Sequence, residues 1–144
     1  MATDSKADPP ITGGCGCGAV RWQLDEPPAG AAYCHCGRCQ RRTGTAVGAS
    51  AIAVPGTFHV TSGEELIRTW KPDGGWEKHF CEECGSALFS RHPDDPEQVG
   101  VRLGSFDGDP GVRPGLRQFV DFAASWEPIP DDGLPRFGGR RPTG

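Results

Sequence analysis

The sequence predicts an all-β fold, and three observations carry that reading. Short runs of alternating apolar and polar residues recur along the chain, and clusters of Gly, Pro, Asp and Ser separate them. Gly 22 and Pro 14 make a quarter of the 144 residues turn-prone. Such punctuation favours strands and loops over long helices. The length fits one domain with a modest core. The apolar fraction of 35% is low, so bound metal would add stability that a thin core lacks.

Met1 to Pro10 is polar and reads as a flexible segment, ahead of a domain expected over residues 11–127. Ala19 to Leu24 alternates, with Val20, Trp22 and Leu24 on one face, as a half-buried strand does. Gly30 to Tyr33 is a short strand leading into Cys34-His35-Cys36-Gly37-Arg38-Cys39. Gln40 to Thr43 forms one helical turn that Gly44 ends. Thr45 to Val54 is small and apolar, a buried strand closed by the turn Pro55-Gly56. Phe58 to Thr61, Glu65 to Trp70 and Trp76 to Phe80 are three further strands. Ser62-Gly63 and Pro72-Asp73-Gly74-Gly75 supply the turns between them. Ala87 to Ser90 and Gln98 to Gly104 follow, a loop spans Asp107 to Pro114, and Gln118 to Ala123 is the last strand. Residues 128–144, rich in Pro, Gly and charge, form an extended tail with Leu134 and Phe137 as its anchors.

Charge and termini narrow the class. A net charge of −4 and a pI near 5.5 lack the basic footprint of a nucleic-acid binder. The N-terminal residues carry no apolar leader, and no segment is long and apolar enough to span a membrane. A cytoplasmic location follows, where thiols stay reduced.

Seven cysteines in such a compartment need a role, and an odd number leaves one out of any full disulfide scheme. They fall in three groups: Cys15-Gly16-Cys17, Cys34-x-Cys36-x-x-Cys39 and Cys81-Glu82-Glu83-Cys84. Close pairs present two thiolates to one ion from a tight turn, and zinc with sulfur ligands is the standard outcome. Gly18 and Gly85 follow two of the groups, where positive φ lets the chain leave the turn. The simplest division joins Cys15 and Cys17 with Cys81 and Cys84 in a saturated site. Cys34, Cys36 and Cys39 then form a three-thiolate site with one position open, the pattern of a catalytic zinc. Two zinc ions per chain are expected. Alternatively the middle group is a second structural site, closed by another ligand. His35 lies between two of its cysteines, and His79 is the best of the more distant His59, His79 and His92. Arg38, Arg41 and Arg42 stand beside this group as contacts for substrate carboxylates, or as a solvated basic turn.

Gly14-Cys15-Gly16-Cys17-Gly18-Ala19-Val20-Arg21-Trp22 resembles the opening motif of the glutathione-dependent formaldehyde-activating enzyme family, which includes centromere protein V. The resemblance continues through Cys34 to Cys39 with Thr43-Gly44. It resumes at Phe80 to Phe89, at Val101 to Asp107, and at Trp126 with Leu134-Pro135. It covers roughly residues 12–136.

This resemblance implies a β-tent of antiparallel sheets stabilised by zinc. It assigns Cys15, Cys17, Cys81 and Cys84 to a structural zinc and Cys34, Cys36 and Cys39 to a catalytic one. It implies carbon–sulfur lyase chemistry, in which a small-molecule thiol such as glutathione adds to formaldehyde or another small aldehyde. Family members commonly carry His in a late Pro-x-x-His segment, where Pro114-Gly115-Leu116 here leads to Arg117. A zinc-stabilised binding module without catalysis, and a redox-responsive thiol protein, are the competing readings.

Overall fold

A computed structural model describes residues 8–142; residues 1–7, most of the expected N-terminal segment, lie outside it. Among the described residues the fold is all-β with one short α-helix. A three-stranded antiparallel sheet comprises β1 (Ile11–Gly14), β2 (Arg21–Leu24) and β5 (Phe58–Ser62), in the order β1-β2-β5. The second sheet contains β3 (Gly30–Cys34), β4 (Gly48–Ile52), β6 (Ile67–Trp70), β7 (Glu77–Cys81), β8 (Ala87–His92), β9 (Asp95–Arg102) and β10 (Arg117–Gln118). Its order is β10-β3-β4-β9-β8-β7-β6. All its pairings are antiparallel except β10 with β3. These sheets form the β-tent that the resemblance implies.

Both sheets contribute to one core. Ile11, Val20, Trp22 and Leu24 pack with Leu88, Phe89, Val99 and Val101, and Phe58 and Phe106 lie against them. The alternation of Val20, Trp22 and Leu24 is borne out, because all three are fully buried. Trp22 meets Phe106 edge-on at 4.8 Å between ring centroids, and Phe58 lies 4.6 Å from Phe89. The indole Nε1–H donates to Ser105 Oγ at 3.2 Å, so the largest core side chain leaves no polar atom unpaired.

Five elements differ from expectation. The expected strand Glu65 to Trp70 begins only at Ile67, after a 3₁₀ turn over Glu64–Leu66 that follows the left-handed Gly63, and the expected strand Gln98 to Gly104 ends at Arg102, where Leu103–Ser105 forms another. β1 is absent from the sequence reading because Gly13 and Gly14 are poor strand residues. Yet Gly13 is required there: a Cβ on it would stand 2.2 Å from both Trp22 Cζ2 and the Ser105 carbonyl oxygen. The helix α1 (Gly37–Thr43) begins inside the cysteine motif rather than after it, since Cys36 Sγ caps it by accepting from the Cys39 N–H at 3.3 Å. Gly44, with φ of 68°, ends it as expected. The expected strand Gln118 to Ala123 stops at Gln118. Phe119 takes a left-handed conformation (φ 58°) and Val120–Phe122 is a 3₁₀ turn. A tertiary contact enforces the break: the N–H groups of Phe119 and Val120 donate to carbonyls of Gly139 and Phe137.

The tail is therefore laced to the sheet. Arg117 N–H donates to the Pro135 carbonyl, Phe137 N–H donates to that of Arg117, and Arg136 bridges to Arg117. These backbone bonds anchor it.

Candidate metal centres and the adjoining cleft

Two hairpin turns carry the first cysteine group. Cys15 and Cys17 lie between β1 and β2, and Cys81 and Cys84 lie at the β7–β8 turn. Each turn closes on itself, with Gly18 N–H donating to the Cys15 carbonyl at 3.1 Å and Gly85 N–H to the Cys81 carbonyl at 2.8 Å. Gly18 and Gly85 have φ of 80° and 76°, the left-handed exits expected of them. The core brings the turns together across the chain, and all four sulfurs lie within 4.8 Å of one another. Cys15 and Cys17 sulfurs are 3.6 Å apart, and Cys17 and Cys81 sulfurs 4.0 Å. These separations are far too long for disulfides. A tetrahedral zinc with bonds of about 2.3 Å places its sulfurs roughly 3.8 Å apart, so this donor set fits that ion.

Polar groups surround these sulfurs. Val20 N–H donates to Cys15 Sγ at 3.2 Å, and Ser86 Oγ lies 3.2 Å from Cys84 Sγ. Ser86, by side chain and backbone, holds the Cys84 thiol down at about 5. Cys17, against the pull of the Ala19 N–H, is pushed up to about 11 by Cys15. Four crowded thiols resist ionising together, and a shared cation relieves that resistance.

The second group is local. Cys34 ends β3, Cys36 caps α1 and Cys39 sits in its first turn; their sulfurs also lie within 4.8 Å of one another. Hydrogen bonds from Cys34 and then Cys39 pull the Cys36 thiol down to about 2, while the same contacts push Cys34 up. Among the described residues, no His, Asp or Glu joins this group. Three sulfurs on one side suit a zinc with an exchangeable position.

The histidines are engaged elsewhere. His35 is buried and turned away from the sulfurs, its Nε2 accepting from Arg117 Nη1 at 3.1 Å. Burial, then the charges of Arg117 and Arg136, lower its pKa below the usual imidazole value. His79 stacks on Phe89 with centroids 4.5 Å apart and pairs its Nδ1 with Thr69 Oγ1. His59 pairs with Asp25, and His92 accepts from the Asp94 N–H.

The expected arginines divide. Arg41 is exposed. Arg38 is held by the β6–β7 hairpin, lying 5.7 Å over the Trp70 ring and donating to the Asp73 carbonyl at 3.4 Å. Arg42 is half-buried and faces Arg102 and Cys39. Two residues that the sequence reading passed over join it. Lys78, from β7, interacts with Cys39, Arg102, Arg42 and Arg38. Arg102, from β9, lies beside Cys39: a Cβ on Gly48 would stand 2.5 Å from Arg102 Nη1 and 3.4 Å from Cys39 Sγ. The available signal for Arg102 was a lone cation closing the alternation of Val99 and Val101; Lys78, between Glu77 and His79, carried none.

An open cleft of about 630 Å³ is lined by Cys15 of the first cysteine group and reaches the second only through residues that neighbour Cys39. Cys15, Gly16 and Ser86 line one part; Thr43, Gly48 and Arg102, the neighbours of Cys39, line another. Its size is that of a small-molecule site (roughly 300–1,000 Å³).

The family model described as glutathione-dependent formaldehyde-activating enzyme matches residues 10–121. A Halomonas elongata protein, provisionally named as such an enzyme, is 31% identical over 107 residues, covering 69% of this chain and 67% of its own. A solved Rhodobacter sphaeroides structure superposes with a TM-score of 0.56 at 25% identity, over 88% of this chain and 98% of its own.

Proposed function

Because the chain belongs to the glutathione-dependent formaldehyde-activating enzyme family, we propose that it is a zinc-dependent carbon–sulfur lyase joining glutathione, or a related thiol, to formaldehyde or another small aldehyde. The product with formaldehyde is S-hydroxymethylglutathione. The observation that carries this reading is the Cys34–Cys36–Cys39 group, three sulfurs without a fourth protein donor among the described residues. Cys15, Cys17, Cys81 and Cys84 hold the structural ion in the same reading. An ion at the three-cysteine site would favour the ionised form of an entering thiol.

The chain's residues account for the remainder. In the addition, the thiol sulfur forms a bond to the carbonyl carbon, and the carbonyl π pair moves to oxygen. That oxygen takes up the proton released by the thiol, so nothing is oxidised or reduced. Thr43 Oγ1 donates to the Cys39 carbonyl at 2.8 Å and Gln40 Nε2 to that of His35 at 2.9 Å, bracing the helix that carries the site. The cleft beside Gly48 receives the body of the thiol, and holding the two reactants together lowers the entropic part of the barrier. Among the described residues, no helix is long and apolar enough to cross a membrane; a cytoplasmic setting would keep all seven thiols reduced.

The test is NMR exchange of glutathione with labelled formaldehyde. Wild type should broaden the exchanging signals beyond the spontaneous rate, and Cys36→Ser should return them to it. Identical exchange with wild type, variant and no protein refutes the formaldehyde assignment.

A further inference from the structure

Lys78, Arg42 and Arg102 come from three separate elements; Lys78 pairs with Ser90 and Ser90 with Gly100, so Lys78 and Arg102 share one face of the second sheet, and their charges and that of Arg42 act on one another and on Cys39. All three are half-buried, and among the described residues none of these side chains has a carboxylate partner. Elsewhere acids answer cations: Arg21 pairs with Asp107, Arg68 with Glu82 and Arg117 with Asp132. Burial disfavours the charge on Lys78, and Arg102, Arg42 and Arg38 disfavour it further, against the attraction of Cys39. Like charges gathered out of water without counter-charges need an anion.

Thiolates alone do not balance them. Three ionised sulfurs around a divalent ion sum to one negative charge, and an entering thiolate adds one more. Four cations, counting Arg38, exceed that total. Gly48 has the effect of admitting Arg102, since any side chain there would occupy the position of its guanidinium. Arg102 also lines the cleft, so it faces both the thiol cluster and the space beyond it.

We propose that Lys78, Arg42 and Arg102 form a carboxylate-binding wall that selects thiols bearing carboxylates over neutral thiols. This rests on the lyase reading for the identity of the ligand as a thiol. Lys78 and Arg102 are the specificity-determining residues of the wall. The carboxylates of the ligand lie against them, while its sulfur approaches Cys34, Cys36 and Cys39. Arg102 offers a two-pronged donor to a carboxylate and Lys78 a point charge.

The experiment uses zinc-loaded protein and S-methylglutathione, whose sulfur is blocked but whose carboxylates are free, with its dimethyl ester as control. Calorimetry should show the acid binding at least about tenfold more tightly than the ester. Lys78→Gln and Arg102→Gln should each remove most of that preference, and Arg102→Lys should retain more of it than Arg102→Gln. Lys78→Arg keeps the charge and serves as the comparison if Lys78→Gln fails to fold. Equal binding of acid and ester to wild type overturns the proposal, as does wild-type preference in both glutamine variants. Preference for the acid without turnover of any aldehyde would refute the lyase reading and leave the wall standing. Turnover with equal preference for glutathione and its ester would do the reverse.

Discussion

Arg117 donates its Nη1–H to Nε2 of His35 across 3.1 Å, and so holds away from the sulfurs the one imidazole that the chain places between two of them. The same guanidinium lies 4.2 Å over the Tyr33 ring and pairs with Asp132 at 2.7 Å. It stands where the resembling family commonly has His. Its place in this protein is to tie the three-cysteine segment to the C-terminal tail.

Replacing Arg117 with Met should lower stability by roughly 2 kcal/mol, because it strands the buried His35 Nε2 without a donor. Chemical denaturation measures this directly. Mobility of the unclamped imidazole should also show as new exchange broadening in the His35 ring signals.

Removing residues 136–144 should lower the melting temperature by several degrees, since backbone bonds from Phe119, Val120 and Phe137 are lost together. Composition alone suggests a small effect for this cut; the hydrogen-bond pattern decides the other way. Asp132 adds a pH dependence. Arg117, then the Leu134 N–H, holds its carboxyl below the usual range. The native state therefore binds fewer protons there than the unfolded chain does. The stability due to this carboxylate is present above its unfolded pKa of about 4 and is lost as pH falls through the lower folded value. Asp132→Asn should be less stable than wild type at neutral pH, and the gap should close in acid.

Metal content should separate the two cysteine groups. Wild type should hold about two zinc ions per chain, and Cys36→Ser should keep one and still melt cooperatively. Cys81→Ser should not fold. It removes a buried core residue and an ion-mediated closure between residues 64 positions apart, a constraint of about 4 kcal/mol by analogy with a disulfide. A soluble Cys81→Ser protein with two zinc ions would refute the structural assignment.

Two glycine substitutions should differ in kind. Gly13→Ala forces a methyl group against the backbone of Ser105 and the fixed ring of Trp22, and should destabilise by about 3 kcal/mol or more. Gly48→Ala meets the far end of Arg102, a flexible side chain that can swing aside, and presses on Cys39 at 3.3 Å from its Cβ, a contact that a shift of a few tenths of an ångström relieves. It should fold nearly as well as wild type while weakening binding of S-methylglutathione. Melting curves and calorimetry on the two variants distinguish the cases.

Local chemistry made much of this molecule legible in the sequence. The alternation of Val20, Trp22 and Leu24 marks a core strand, and Cys-x-Cys or Cys-x-x-Cys followed by glycine marks a tight turn that holds two sulfurs together, because both depend only on neighbours along the chain. The residues that the sequence reading did not place are those whose roles arise from distant partners. Gly13 is unremarkable until Trp22 lies on it, and Phe119 belongs to a strand until Gly139 draws its N–H away. Lys78 and Arg102 are ordinary cations in strands β7 and β9 until the sheet order brings both to Cys39. The sequence alone determined the close cysteine groups and the glycine-ended turns that present them, because their spacing is a local property. Only the tertiary structure decided which charges face those sulfurs, because strand pairing and the absence of a Cβ at Gly48 set that arrangement.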